Sequence, residues 1–350
     1  MGLTGTRRTT LQWVWEANRG NPVGENATFA LGANGNLVLT DTDGRVAWQS
    51  NTANKGVVGF KLLPNGNMVL HDSKGNFIWQ SFNYPTDTLL VGQSLYRFGG
   101  VNKLVSRHSE RENKDGLYSL VLEPSGSMAL YYKSNNSPKP LLYYSSANFS
   151  DAPNKVTFEF DTNDTESGAF FLTLSAYVTA RTHYNASLTF LRLGMDGNIR
   201  LFTYIEKLER RAFELTFSFF DRQAPRFESE CQLPSWCGSF GLCENSQCVA
   251  CPSKKGLLGW SKTCEPEKLK SCKVSDFHYY KIEGVEHFLC KYTSGEAIKE
   301  SACERKCTLD CKCLGYFYNR ETSSCWVVND LKTLTKVENS THVGYIKTPN

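Results

Sequence analysis

Few residues in this 350-residue chain have the types and spacing to do chemistry. Three turn-competent triplets stand out: Asn34-Gly35-Asn36, Asn65-Gly66-Asn67 and Asp196-Gly197-Asn198. Their side chains, with His71 near the second, carry hydrogen-bond donors and acceptors. The same residue types also make tight turns for purely backbone reasons. Asp41, Asp43 and Asp72 sit between turn residues, where a carboxylate caps backbone amides. His278 and His287 flank Tyr279-Tyr280-Lys281 with no carboxylate or cysteine at metal or catalytic spacing, and are expected to be packing residues. No Gly-x-Ser-x-Gly, P-loop, His-Glu-x-x-His or paired-carboxylate motif occurs, so no catalytic residue, metal site or cofactor is expected.

The other reactive groups are 13 cysteines, none before Cys231. That density in the last third of a chain points to disulfides made in an oxidising compartment. Zinc is the competing reading, but Cys231, Cys237, Cys243, Cys248, Cys251 and Cys264 include one Cys-x-x-Cys, with no paired histidine following at finger spacing. So short a segment needs staples to fold, and its six cysteines allow 15 pairings. Cys303, Cys307 and Cys311 recur every four residues and lie near one face of an expected helix.

Six Asn-x-Ser/Thr sequons, at Asn26, Asn135, Asn148, Asn163, Asn185 and Asn339, join the cysteines in favouring a secreted glycoprotein. The first residues lack the apolar run of a secretory signal, and the N-terminus is expected to be truncated. No apolar run is long enough for a membrane span. A net charge of +4 gives no concentrated basic face for nucleic acid.

Short strands joined by tight turns must position the triplets. Trp79-Gln80-Ser81 follows Trp48-Gln49-Ser50 by 31 residues, and Asn65-Gly66-Asn67-Met68-Val69-Leu70 follows Asn34-Gly35-Asn36-Leu37-Val38-Leu39 by the same interval. Two motifs with one period mean a duplicated supersecondary unit. A small sheet with one apolar face must bury it, so Trp15, Trp48 and Trp79 are expected at a shared centre. Residues 13–18 read as an aromatic strand. Residues 79–95 read as a packed corner, with Pro85 ending regular pairing, Asn83, Thr86 and Asp87 holding a turn, and Leu89, Leu90 and Val91 as the apolar return. Further hairpins follow around Pro124-Ser125-Gly126-Ser127 and Gly197. The pairs Tyr131-Tyr132, Tyr143-Tyr144 and Phe219-Phe220 are expected to place one ring in a core and one at an edge.

These motifs together resemble the bulb-type, mannose-binding lectin domain, a three-sheet β-prism. "WVWEANRGNPV", the two Asn-Gly-Asn units and "WQSFNYPTDTLLVGQSL" look like the plant S-locus glycoprotein version. They look closest to epidermis-secreted lectin-like glycoproteins, over essentially the whole chain. The family sugar motif is Gln-x-Asp-x-Asn-x-Val-x-Tyr. Its positions hold Gly32, Asn34, Asn36, Val38 and Thr40 in the first repeat, and Leu63, Asn65, Asn67, Val69 and His71 in the second. Gly194, Asp196, Asn198, Arg200 and Phe202 hold them in a third, more divergent copy. Loss of the glutamine amide and tyrosine phenol removes hydrogen-bond partners at about 1 kcal/mol or more apiece, so the mannose site is expected to be weakened or gone. Asn34, Asn36, Asn65, Asn67, His71, Asp196 and Asn198 remain the candidate sugar-binding residues.

The resemblance implies a mainly β chain: a bulb-lectin domain over 1–95, N-terminally truncated, and a second, divergent one over 96–228. An EGF-like module over 229–266 and an α+β PAN/apple module over 267–350 follow. By the EGF analogy the pairs are Cys231–Cys243, Cys237–Cys248 and Cys251–Cys264. The PAN resemblance implies Cys303–Cys325 and Cys307–Cys313, and leaves Cys272–Cys311 with an unpaired, buried and inert Cys290. The function expected is non-catalytic carbohydrate binding in the plant extracellular matrix or cell wall, with glycans, mannose-containing ones included, as ligands. The alternative is a protein-interaction ectodomain resembling S-domain receptor kinases without the kinase, with cell-surface proteins as partners. A dimer is compatible with either.

Overall fold

The computed structural model describes residues 2–3, 12–147, 153–161, 170–174, 178–182, 188–205, 212–222, 228–269 and 271–350. The expected sequons Asn148, Asn163 and Asn185 fall outside them. The chain divides into two compact units. One comprises Met1–Met128, Ser146–Met195 and Ile199–Ser218, and the other Ala129–Ser145, Asp196–Asn198 and Phe219–Asn350. The fold is mainly β.

In the first unit, β1 (Gly2–Leu3) pairs with β2 (Gln12–Trp13). The strand expected over residues 13–18 stops at Trp13. Beyond it Val14 and Trp15 enter two different cores, and Asn18 closes a turn by accepting from the Asn21 amide at 2.9 Å. The two repeats become matching three-stranded antiparallel sheets. One is β3 (Thr28–Leu31), β4 (Leu37–Thr40) and β5 (Val46–Gln49), and the other is β6 (Gly59–Leu62), β7 (Met68–His71) and β8 (Phe77–Gln80). Each has a register shift at the same place, after Leu39 and after Leu70. Gly35 and Gly66 turn each hairpin at φ 79° and 85°, where a side chain would be strained.

Trp15, Trp48 and Trp79 meet edge to face, with centroids 6.2, 6.0 and 5.5 Å apart. Leu37, Met68 and Leu70 pack around them. The corner after Trp79 opens with a 3-10 turn, Ser81–Asn83. Strand β9 (Thr88–Leu90) is wholly buried and pairs antiparallel with Thr189–Leu193, a hundred residues on. That strand continues the sheet to Ile199–Ile205 and Ala212–Ser218. Val14, Phe82, Leu90 and Phe190 form its core.

Among the described residues, the second unit holds two five-stranded sheets and two short helices. In the first sheet Phe240–Glu244 pairs parallel with Lys332–Lys336, so this sheet runs across position 266, where the sequence suggests a module boundary. In the other, His342–Pro349 lies between Phe277–Glu283 and Gly315–Asn319. Helix α1 is Phe288–Tyr292 and α2 is Glu300–Leu309. Cys303 and Cys307 lie in α2, whereas Cys311 lies beyond its end at Asp310, because the chain must reverse to join Cys307 to Cys313. The disulfides are Cys231–Cys243, Cys237–Cys248, Cys251–Cys264, Cys272–Cys311, Cys303–Cys325 and Cys307–Cys313. Cys303, Cys307, Cys313 and Cys325 form a core with Tyr316 and Tyr318. Cys290 is unpaired. It packs against the neighbouring apolar core, and burial pushes its thiol pKa well above the ordinary range.

The aromatic pairs divide as follows. Tyr132 and Tyr143 are buried and Tyr131 and Tyr144 half-buried, whereas Phe219 and Phe220 are both buried.

Candidate functional site

The candidate sugar residues occupy equivalent places in the repeats, and the hydrogen bonds they make there are internal. Asn34 Oδ1 accepts from the Asn36 amide at 3.0 Å, Asn65 Oδ1 from Asn67 at 3.1 Å, and Asp196 Oδ1 from Asn198 at 3.2 Å. Each is the side-chain half of a tight turn.

The following asparagines are buried: Asn36 is 8% exposed, Asn67 4% and Asn198 1%. Asn67 donates from Nδ2 to Gln80 Oε1 at 2.8 Å, and its Oδ1 accepts from Ser81 Oγ and the Phe82 amide, both at 3.2 Å. Asn36 repeats this with Gln49, Ser50 and the Thr52 amide. Asn198 exchanges both bonds with the Phe220 backbone at 3.0 Å. The serine of each Trp-Gln-Ser then accepts from the strand that follows the turn: Leu37 to Ser50, and Met68 to Ser81, both at 2.9 Å. The Met128 amide bonds Ser146 Oγ at the same distance, which makes Glu123–Ser127 a further copy of the turn. The sequence there reads as a plain hairpin, because Ser125-Gly126-Ser127 lacks asparagine. The signal was there in the glycine and in the apolar run after it.

His71 is half-buried, its Nδ1 3.0 Å from the Asp72 carbonyl, and its ring fills the space a side chain on Gly59 would need.

The carboxylates behave as turn caps. Asp41 Oδ1 accepts from the Thr42 and Gly24 amides, Asp43 from Arg45, and Asp72 from Lys74 and Asn76. Those bonds hold the Asp41 and Asp72 pKa values below the ordinary carboxylate range, which suits a charged cap and not a general acid.

The histidines split. His278 is exposed, against the packing role expected of it, with Nδ1 2.7 Å from Asn350 Oδ1. It lies on a face-alternating strand next to buried Phe277, so it must point outward. His287 is 1% exposed. Its Nδ1 accepts from the Leu289 amide at 3.3 Å, capping α1, and Nε2 lies 3.0 Å from the Asp330 carbonyl. Burial holds its pKa down at about 3, against an ordinary 6.5, with the Asp330 bond opposing weakly. The unfolded chain therefore takes up the proton first as pH falls. The stability this neutral histidine contributes is whole above its ordinary pKa and drains at about 1.4 kcal/mol per pH unit between roughly pH 6 and 3. His287→Gln is expected to flatten that slope in urea titrations at about pH 7 and about pH 4.5. Equal slopes in the two proteins would refute this origin.

Among the described residues the first unit carries two concavities of suitable size, a larger one of about 560 Å³ lined by Trp13, Phe29, Phe60, Leu62 and Arg107 among others, and a smaller one beside the Trp-Gln-Ser motifs. The smaller, of about 420 Å³, is lined by Trp15, Glu16, Arg19, Trp48, Gln49 and Tyr84, among others. Tyr84 lies on Trp79, planes 15° apart and centroids 5.6 Å apart, and its carbonyl accepts from Trp15 Nε1 at 2.8 Å. Beneath it Glu16 pairs with Arg107 at 2.9 Å and with Arg19 at 3.9 Å. Arg19 also faces Asp115 at 3.4 Å and Asp87 at 4.0 Å. Burial raises the Glu16 pKa, and the two arginines oppose that shift. Sequence reading named Trp15, Trp48, Trp79 and the corner holding Tyr84, but not their convergence on a pocket. Among the described residues no cluster of three or more histidine, cysteine or acidic side chains could hold a metal ion.

Comparisons with known proteins find relatives over most of the chain. A family model described as D-mannose binding lectin matches residues 10–111. EP1-like glycoprotein 4 of Arabidopsis thaliana is 51% identical over 356 residues, covering 98% of this chain and 80% of its own. Epidermis-specific secreted glycoprotein EP1 of Daucus carota is 54% identical over 308 residues, covering 80% of this chain and 79% of its own. A G-type lectin S-receptor-like serine/threonine-protein kinase of Arabidopsis thaliana is 26% identical over 354 residues, 95% of this chain but 38% of the kinase.

Proposed function

The chain belongs to the EP1-like glycoprotein family, and on that premise we propose that it is a secreted, non-catalytic carbohydrate-recognition protein of the plant extracellular matrix whose mannose sites are degraded. The carrying observation is the placement of Asn36, Asn67 and Asn198. These motif residues are buried and spend their hydrogen bonds on neighbouring turns and strands. With glutamine and tyrosine replaced at the flanking motif positions, little remains to grip a mannose hydroxyl. The relatives' names support secretion and glycosylation, as do exposed sequon asparagines at Asn26, Asn135 and Asn339. The four-module parse at 1–95, 96–228, 229–266 and 267–350 is part of this reading, as are the sugar-facing roles left to Asn34, Asn65, Asp196 and His71. A glycan array probed with the native glycoprotein tests it. Binding to neutral cell-wall oligosaccharides, without change to the bound sugar, is expected, and a blank array would sink it.

A second reading, a protein-contact role, is favoured by one observation. Edge strands β3 and β6 expose Phe29 at 49%, Leu31 at 37%, Phe60 at 44% and Leu62 at 59%, the kind of apolar edge that pairs with another chain. Cross-linking in cell-wall extracts that recovers only monomer would count against it, and against a dimer.

A further inference from the structure

We infer that the aromatic pocket under Tyr84, and not the Asn-Gly-Asn triplets, binds the neutral pyranose end of a glycan. This rests on the carbohydrate-recognition reading and gives it a site.

Size comes first. About 420 Å³ is within the range of small-ligand clefts, roughly 300–1,000 Å³. The platform comes second. One face of the Tyr84 ring is packed flat on Trp79, while the residue stays 51% exposed. A rigid ring with one face open suits the C–H face of a pyranose, which is apolar while the hydroxyls point sideways. Little entropy is lost on binding, since Trp79 already holds the ring.

Sideways hydroxyls need amides, and the rim carries two. Gln49 is exposed, and its Oε1 is fixed by Asn36 Nδ2 at 2.9 Å, which orients the Gln49 amide. The buried motif asparagine thus acts on the pocket from behind. Asn51, also exposed, holds φ at 57°, a left-handed conformation uncommon outside glycine. At the pocket floor Arg19 Nε and Nη2 are buried and have no hydrogen-bond partner in the protein. Those nitrogens face the Glu16, Asp87 and Asp115 carboxylates at 3.4–4.0 Å and are closed to the pocket, so the rim amides carry the polar contacts.

Charge decides the ligand class. Glu16 and Arg19, the charged residues lining the pocket, are already paired with each other, with Arg107, and with Asp87 and Asp115. A uronate or a sulfated sugar finds no unmatched cation, and placing its charge beside this balanced cluster costs desolvation. A neutral sugar avoids that cost.

The test is a titration of native protein followed by tryptophan emission, since Trp15, Trp48 and Trp79 form the pocket wall. The probes are cellotetraose, mannotetraose and trigalacturonate. A saturable change with a neutral tetraose and none with trigalacturonate is expected. Tyr84→Ala removes the platform while keeping the carbonyl that Trp15 uses. Asn51→Gly removes the amide and suits the positive φ. Each is expected to weaken binding about tenfold or more, with stability lowered by at most about 1.5 kcal/mol in Tyr84→Ala, the loss of one aromatic pair. If array-positive glycans bind both variants as they bind native protein, the site is wrong and the recognition reading stands. Binding of trigalacturonate as tight as the neutral probes overturns the neutral-ligand assignment. No response to either neutral tetraose overturns the site, and a blank array alongside it takes the recognition reading too.

Discussion

Trp79→Ala is expected to destabilise the first unit by about 3–5 kcal/mol, the usual cost of removing a buried indole. Trp79 is 7% exposed. Its ring contacts Trp15 and Trp48 at 6.0 and 5.5 Å, and Tyr84 on the other side at 5.6 Å. Deletion therefore opens a cavity where the two repeat sheets and the corner converge, and rigid aromatic neighbours collapse poorly into such a space. The midpoint of urea unfolding, followed by the remaining tryptophans, should fall sharply. A midpoint within 0.5 kcal/mol of wild type, the range of an innocuous surface change, would mean that the triad does not hold the unit together. Tyr84 would also lose the ring it lies on, so the structural and binding consequences of this change are coupled.

The second large effect separates two neighbours. Asn67→Ala is expected to cost about 2–3 kcal/mol, because it strands the buried Phe82 amide and Ser81 hydroxyl and takes the partner from the half-buried Gln80 Oε1. Asn65→Ala loses one bond in an exposed turn, about 0.5–1 kcal/mol. A residue kept for sugar contact behaves oppositely: its removal harms binding and spares stability. Thermal melts of the two variants under one buffer decide the matter. Equal, small losses would mean that Asn67 is not the structural residue its bonds indicate.

Much of this was readable in the chain. The 31-residue period located both repeat sheets, and the three tryptophans announced their centre, because a repeated large apolar residue on short strands has nowhere else to go. The Trp-Gln-Ser motif contained the partners of Asn36 and Asn67, although nothing local says that a serine hydroxyl will receive an amide thirteen residues away. What stayed hidden was non-local. Strand Thr88–Leu90 pairs with Thr189–Leu193, and Phe240–Glu244 with Lys332–Lys336. Pairings at such separation leave no periodicity in either partner. The exposure of His278 followed from strand alternation, which an aromatic-rich run disguised. The pocket was hidden for the same reason as the long-range pairs, since Arg19, Gln49 and Tyr84 come from three separate segments.

The central claim is that the motif asparagines have become parts of the fold and that mannose recognition at them has been lost. The most direct test is a titration of the native protein with methyl α-mannoside, observed by NMR at the side-chain amides of asparagine and glutamine. No saturable shift of the Asn36, Asn67 or Asn198 amides is expected up to roughly 10 mM, where any affinity at them would amount to less than about 3 kcal/mol. Saturable binding at or below about 1 mM, with the Asn36, Asn67 or Asn198 amides moving first, would contradict it.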